Sequence, residues 1–143
     1  MAVTQLSIFI ENKPGRLEEV VSILGKNGIN IRALSLADTK DYGVLRIIVD
    51  KKDDAVKVLK ENGISVIKTS VIAAEVEDTP GGLAGILDFF AEKGINVEYM
   101  YAFVEKTGNK AIVVFRVENI EEGENLLKEK GIKVFTDEEI KSL

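Results

Sequence analysis

The 143-residue chain has no cysteine and no histidine, and it has only two prolines. Without cysteine there is no disulfide framework, no thiolate nucleophile and no zinc site of the finger type. Without histidine the commonest general base and the commonest transition-metal ligand are missing, so a histidine-dependent catalytic triad is excluded. No apolar run approaches the roughly 20 residues that span a bilayer, and the N-terminus shows no basic segment leading into an apolar stretch of the signal-peptide type. The expectation is a cytoplasmic protein with no membrane partner. The formal net charge is −5, and the 19 Lys and Arg residues are scattered, with pairs such as Lys51-Lys52 followed at once by acids. Affinity for a phosphate backbone comes from clustered cations, so nucleic acid is not an expected partner.

Both prolines fall in a repeat. The run E-N-K-P-G-R-L from Glu11 to Leu17 returns 66 residues later as E-D-T-P-G-G-L from Glu77 to Leu83. Behind each turn the apolar residues keep one helical spacing, Leu17, Val20, Val21 and Leu24 in the first copy and Leu83, Ile86, Leu87 and Phe90 in the second. Each of these helices is followed by G-I-N and a β-branched residue, Gly28-Ile29-Asn30-Ile31 and Gly94-Ile95-Asn96-Val97. One unit is used twice, and the expected domains are residues 1–69 and 70–143.

Within the unit, Leu6, Ile8 and Ile10 alternate as a half-buried strand does, and Ile72, Ala74 and Val76 match them. Pro14 and Pro80 suit the first turn of a helix, where a missing N–H does no damage, and Gly15 and Gly81 let something approach the backbone closely. The spacing predicts four helices, each ended by a left-handed glycine, Gly28, Gly63, Gly94 or Gly131, with an isoleucine behind it. Two hairpins are expected, turning at 38–41 and 106–109. A second helix follows in each unit, with Ala55, Val58 and Leu59 matching Gly123, Leu126 and Leu127. Short closing strands are expected at 64–68 and 132–135, and the tail from Thr136 has room for one more helical turn. The fold class is α+β: two ferredoxin-like β-α-β-β-α-β units, each an antiparallel sheet with both helices on one face.

The repeated Pro-Gly corner, the helix and the following G-I-N resemble the ACT domain, a small-molecule-sensing module attached to many enzymes of amino-acid metabolism. Both repeats share the resemblance, so it implies a stand-alone tandem ACT protein without catalytic activity or cofactor. In that family units pair side by side through their second strands, and effectors bind between the first loop of one unit and the second strand of its neighbour. The resemblance implies ligand contacts from Glu11, Asn12, Lys13, Pro14, Gly15 and Arg16, with Asn30 and Ile31 opening the second strand. In the second unit the matching positions are Asp78, Thr79, Gly81 and Gly82, then Asn96 and Val97. Serine-binding members carry a histidine two residues before the first asparagine, where this chain has Ile10. A free amino acid as ligand, a homodimer and an unidentified regulated enzyme are the partners the resemblance implies.

The residues support that placement on their own terms. A turn that delivers free N–H groups at a helix start attracts an anion, so Lys13 to Leu17 suits a carboxylate. Asn12 and Asn30 have carbonyls for an ammonium and amides for a carboxylate. In the second unit Asp78 replaces Asn12, Thr79 replaces Lys13 and Gly82 replaces Arg16, which makes the first corner the expected better carboxylate receptor. The Pro-Gly pairs also serve as plain turn chemistry, and Asn30 and Asn96 as residues that bond local backbone. Tyr99, Met100 and Tyr101 read first as sheet packing. Arg32 and Glu98 occupy equivalent strand positions with opposite charge. Two other functions stay open: a ligand-free assembly module built on sheet edges, and an acylphosphatase-like enzyme using Asn12 and Arg16.

Overall fold

The computed structural model describes residues 2–143, the side chains of residues 105–107 excepted. Two compact units emerge, residues 4–69 and residues 70–141. The elements follow in the order β1 (Val3–Glu11), α1 (Arg16–Lys26), β2 (Ile31–Asp38), β3 (Tyr42–Val49), α2 (Lys52–Glu61) and β4 (Val66–Glu77). They continue as α3 (Gly82–Glu92), β5 (Val97–Thr107), β6 (Lys110–Val117), α4 (Ile120–Glu129) and α5 (Asp137–Lys141). The closing strand expected for unit one and the opening strand of unit two are a single element, β4.

In unit one β3 is flanked by antiparallel β1 and β2, and in unit two β6 is flanked by antiparallel β4 and β5. Alternation then decides the core. Leu6 and Ile8 of β1 and Leu45, Ile47 and Val49 of β3 face Val20 and Leu24 of α1 and Ala55 and Leu59 of α2. Unit two repeats the layer with Ile72, Ala74 and Val76 of β4, Val113, Phe115 and Val117 of β6, Ile86 and Phe90 of α3, and Leu126 and Leu127 of α4. Burying such side chains contributes about 1.5–3 kcal/mol each, which is what holds a helix of ten or eleven residues to its sheet. The first-helix stripe is narrower than its spacing predicts, because Leu17, Val21 and Leu83 are 36–37% exposed.

The four helix-ending glycines all adopt the left-handed conformation, with φ between +68° and +76°. At each, the isoleucine N–H reaches back to a core carbonyl, Ile29 to Leu24 (3.0 Å) and Ile64, Ile95 and Ile132 to Leu59, Phe90 and Leu127 (2.9 Å each). One glycine–isoleucine pair thus stops the helix and drops an apolar residue back onto the core. The repeat reaches even the irregularities, since β2 shifts register between Ile31 and Ala33 and β5 between Val97 and Tyr99.

Unit two's closing segment is reduced to an isolated bridge between Ala74 and Val134, made by Glu75 N–H to Lys133 O (2.9 Å) and Phe135 N–H to Ala73 O (2.8 Å). The expected strand shortens because the chain turns at once into α5. That helix starts on a capping box: Thr136 Oγ1 accepts from Glu139 N–H (3.3 Å) while Glu139 Oε1 accepts from Thr136 N–H (3.1 Å). Ile140 of α5 is buried. No helix among the described residues is long and apolar enough to cross a membrane.

Candidate functional site

Each unit has a corner where its first strand meets its first helix. Gly15 sits at φ +88°, ψ −13° and Gly81 at φ +85°, ψ −6°, a conformation that residues with a Cβ adopt only at a cost. In corner one Arg16 N–H bonds Lys13 O (3.3 Å) and Glu19 N–H bonds Gly15 O (3.0 Å). In corner two Gly82 N–H bonds Thr79 O and Gly85 N–H bonds Gly81 O, both at 3.0 Å. Neither helix start has a side-chain cap. Among the described residues no acceptor takes the amides of Gly15, Leu17 and Glu18, nor those of Gly81, Leu83 and Ala84. A Cβ added at Gly15 or Gly81 would meet nothing within 4 Å, so both mouths are open. Three free donors at the positive end of a helix give each corner the chemistry that favours an anion.

The charges around the corners differ from the expected pattern. Glu11 lies 3.0 Å from Lys13 Nζ and 3.9 Å from Arg16 Nε, and Arg16 Nη1 lies 3.4 Å from Glu19. The Lys13 ammonium, by hydrogen bond and by charge, and then Arg16 hold the Glu11 carboxyl below its ordinary pKa. Lys13 and Arg16 are therefore both engaged in exposed ion pairs, which contribute only about 0–1 kcal/mol. In unit two the counterpart of Glu11 turns to the sheet, Glu77 pairing with Lys110 at 3.5 Å while Lys110 also reaches Glu75 at 3.6 Å. A Cβ at Gly82 would stand 2.0 Å from the Glu77 carbonyl oxygen, so the position matching Arg16 has no room for a side chain.

Asn12 has a second role. Its Nδ2 donates toward Asp38 Oδ2 (3.3 Å), Thr39 O (3.3 Å) and Lys40 O (3.4 Å), and its backbone N–H bonds Asp41 O (2.9 Å). Its amide donors hold the corner to the β2–β3 turn, and its carbonyl remains as an acceptor. The backbone counterpart in unit two is Asp78 N–H to Asn109 O at 3.0 Å.

The proposed contact residues form two groups in each unit. Glu11 pairs with Tyr42 at one end of β3 and Ile31 with Val49 at the other, seven residues along. At about 3.3–3.4 Å per residue that is roughly 23 Å, so Asn30 and Ile31 do not reach the corner of their own unit. Unit two behaves alike, Glu77 pairing with Lys110 and Val97 with Val117. Asn30 is exposed, and its N–H bonds Asp50 Oδ1 at 2.9 Å. Asn96 is exposed and lines an open cleft.

Leu17 and Leu83, on the apolar spacing of their helices, are partly exposed, and each adds an apolar group at the corner. Tyr99 and Tyr101 stack along β5 with ring centroids 6.5 Å apart, the sheet packing expected of them. Glu98 pairs with Arg116 of the adjacent strand at 3.6 Å.

A family model described as an ACT domain pair matches residues 1–143. The acetolactate synthase small subunit of Mycolicibacterium smegmatis is 25% identical over 122 residues, 72% of each chain. That of Buchnera aphidicola is 33% identical over 79 residues, 51% of this chain and 46% of the relative, so the match spans about half of that protein. Among solved structures, a protein from Bacteroides thetaiotaomicron is 41% identical with a TM-score of 0.93, covering 100% of this chain and 98% of that one. The ligand-free regulatory subunit of aspartate kinase from Thermus thermophilus is 18% identical with a TM-score of 0.63, over 90% and 93% of the two chains, a likeness of fold alone. The chain belongs to the ACT family, as a pair of ACT domains.

Proposed function

We propose that this ACT pair is a non-catalytic regulator that binds a free amino acid at its β–α corners and passes the occupancy to a partner enzyme of amino-acid biosynthesis. The observation that supports this most is the pair of uncapped corners, each with three unclaimed amides and an open mouth. A carboxylate placed there accepts several N–H bonds at a helix start, and the Asn12 carbonyl is available to the ammonium in corner one. Because Asn30 lies at the far end of its own sheet, we infer that the second strand completing the pocket comes from another ACT unit. Half-exposed Leu17 then favours a ligand with an apolar side chain. The names of the relatives fit: two of them are small subunits of acetolactate synthase. Asn12 gives the signal a route, since it ties the corner to the β2–β3 turn, and a ligand that prefers one arrangement of that turn shifts its population.

A thermal-shift screen of the amino acids at millimolar concentration tests the reading. A ligand that binds only the folded form adds about 2.7 kcal/mol of stability at a hundred times its Kd. The expected result is a rise in Tm with one or a few amino acids that disappears with the corresponding amino-acid amides, which lack the carboxylate. Flat curves with every amino acid would leave only the assembly role.

A further inference from the structure

Unit two has a second concavity at the end of the sheet opposite its corner. It has a volume of about 840 Å³ and is lined by Gly94, Asn96, Glu98, Glu118, Asn119 and Glu122 among others, all of unit two. In unit one the equivalent backbone turn carries two contacts. Lys51, the residue before α2, turns its ammonium onto the Gly28 carbonyl at 3.3 Å, and Asp50 accepts from the Asn30 N–H at 2.9 Å. Neither contact has a counterpart among the described residues of unit two. The residue matching Lys51 is Asn119, whose side chain turns inward and accepts from Glu122 N–H at 3.0 Å. The residue matching Asp50 is Glu118, which makes no bond to Asn96 among the described residues.

We propose that this cleft is a binding site for an alkylammonium group, which takes against the Gly94 carbonyl the position that the Lys51 side chain fills in unit one. The repeat supplies the template: the same backbone turn holds an ammonium in one copy and, among the described residues, holds none in the other. The surrounding charge suits a cation. Glu118 and Glu122 have no ion-pair partner among the described residues, whereas Arg116, the nearby cation, is committed to Glu98 (3.6 Å) and to the Ser70 carbonyl (2.9 Å). A volume of this order suits a small molecule. An ammonium is favoured over a metal ion because no cluster of three His, Cys, Asp or Glu among the described residues could hold one. An alkylammonium comes either as a free diamine or as the lysine side chain of a partner protein, and both have the recognised chemistry.

The test is isothermal titration of the full chain with 1,4-diaminobutane and, separately, with Nα-acetyl-lysine methylamide as the protein-borne form. Binding of either at one site per chain is expected, the tighter probe identifying the source. Asn119→Lys, which installs the tethered ammonium of unit one, is expected to abolish it. Ser65→Lys, which adds the same charge on an exposed position of unit one, is expected to leave it intact. Glu118→Gln, on the surface and therefore safe for folding, should weaken binding roughly fivefold. Absence of binding by both probes, retention in Asn119→Lys, or equal loss in Asn119→Lys and Ser65→Lys would each overturn the proposal. Neither probe has a free carboxylate, so failure here leaves the corner reading untouched.

Discussion

At the corner of unit one the first helical residue is Arg16, held by Glu11 and Glu19; at that of unit two it is Gly82, pressed against the Glu77 carbonyl. Both corners keep the same left-handed glycine and the same three unclaimed amides. The cores diverge too. Unit two puts Phe90 and Phe115 edge to face, ring centroids 5.5 Å apart, where unit one has Leu24 and Ile47, and it has Gly123 where unit one has buried Ala55. A Cβ at Gly123 would lie 2.7 Å from Ile72 Cδ1 and 3.1 Å from Val117 Cγ2. The duplicated backbone fixes where amides and strands go, and the side chains decide what each copy does with them.

The largest test of that contrast is in the core. Phe115→Ala should destabilise the protein by about 3–5 kcal/mol through the cavity it leaves, measured by urea denaturation. Next comes the small-residue exchange: Gly82→Ala and Gly123→Ala should each cost about 1–3 kcal/mol by overpacking, while Arg16→Ala at the position matching Gly82 should stay within about 0.5 kcal/mol. Equal tolerance at residues 16 and 82 would break the comparison. A smaller effect concerns the ligand. Asp78 places a negative charge in corner two, so Asp78→Asn should strengthen amino-acid binding there about three- to fivefold, read by titration calorimetry. The smallest is the pH response of corner one. The folded pKa of Glu11 is depressed, so its contribution to stability is full above the unfolded glutamate value and is lost as pH falls through the lower folded value. Carboxyl NMR should place Glu11 below the other exposed glutamates, and Lys13→Ala should return it to their range.

The fold was legible because the repeat, the four Gly-Ile stops and the strand alternation all point to one arrangement. What escaped is a matter of what a single residue's neighbours do. The apolar spacing put Leu17 and Val21 in the core, but an eleven-residue helix on a narrow sheet buries fewer positions, and Val20 and Leu24 take them. The corner glycines were legible as backbone requirements, whereas the pairing of Lys13 and Arg16 with Glu11 depends on side-chain reach across a turn. The separation of Asn30 from Asn12's corner follows from register, which spacing along the chain does not reveal. The Thr136–Glu139 capping box stands in the sequence as T-D-E-E, and it forms because the chain turns straight from the Val134 bridge into α5.

The claim on which the functional reading rests is that main-chain amides of the corners grip a carboxylate. Its most direct measurement is a ¹⁵N–¹H NMR titration of the full chain with the amino acid that gives the largest thermal shift, repeated with its carboxamide. The account predicts that the amides of Gly15, Leu17 and Glu18 move most, that those of Gly81, Leu83 and Ala84 move less, and that the carboxamide moves neither set. Saturable binding that leaves these six amides in place, or a carboxamide that shifts them equally, would contradict it.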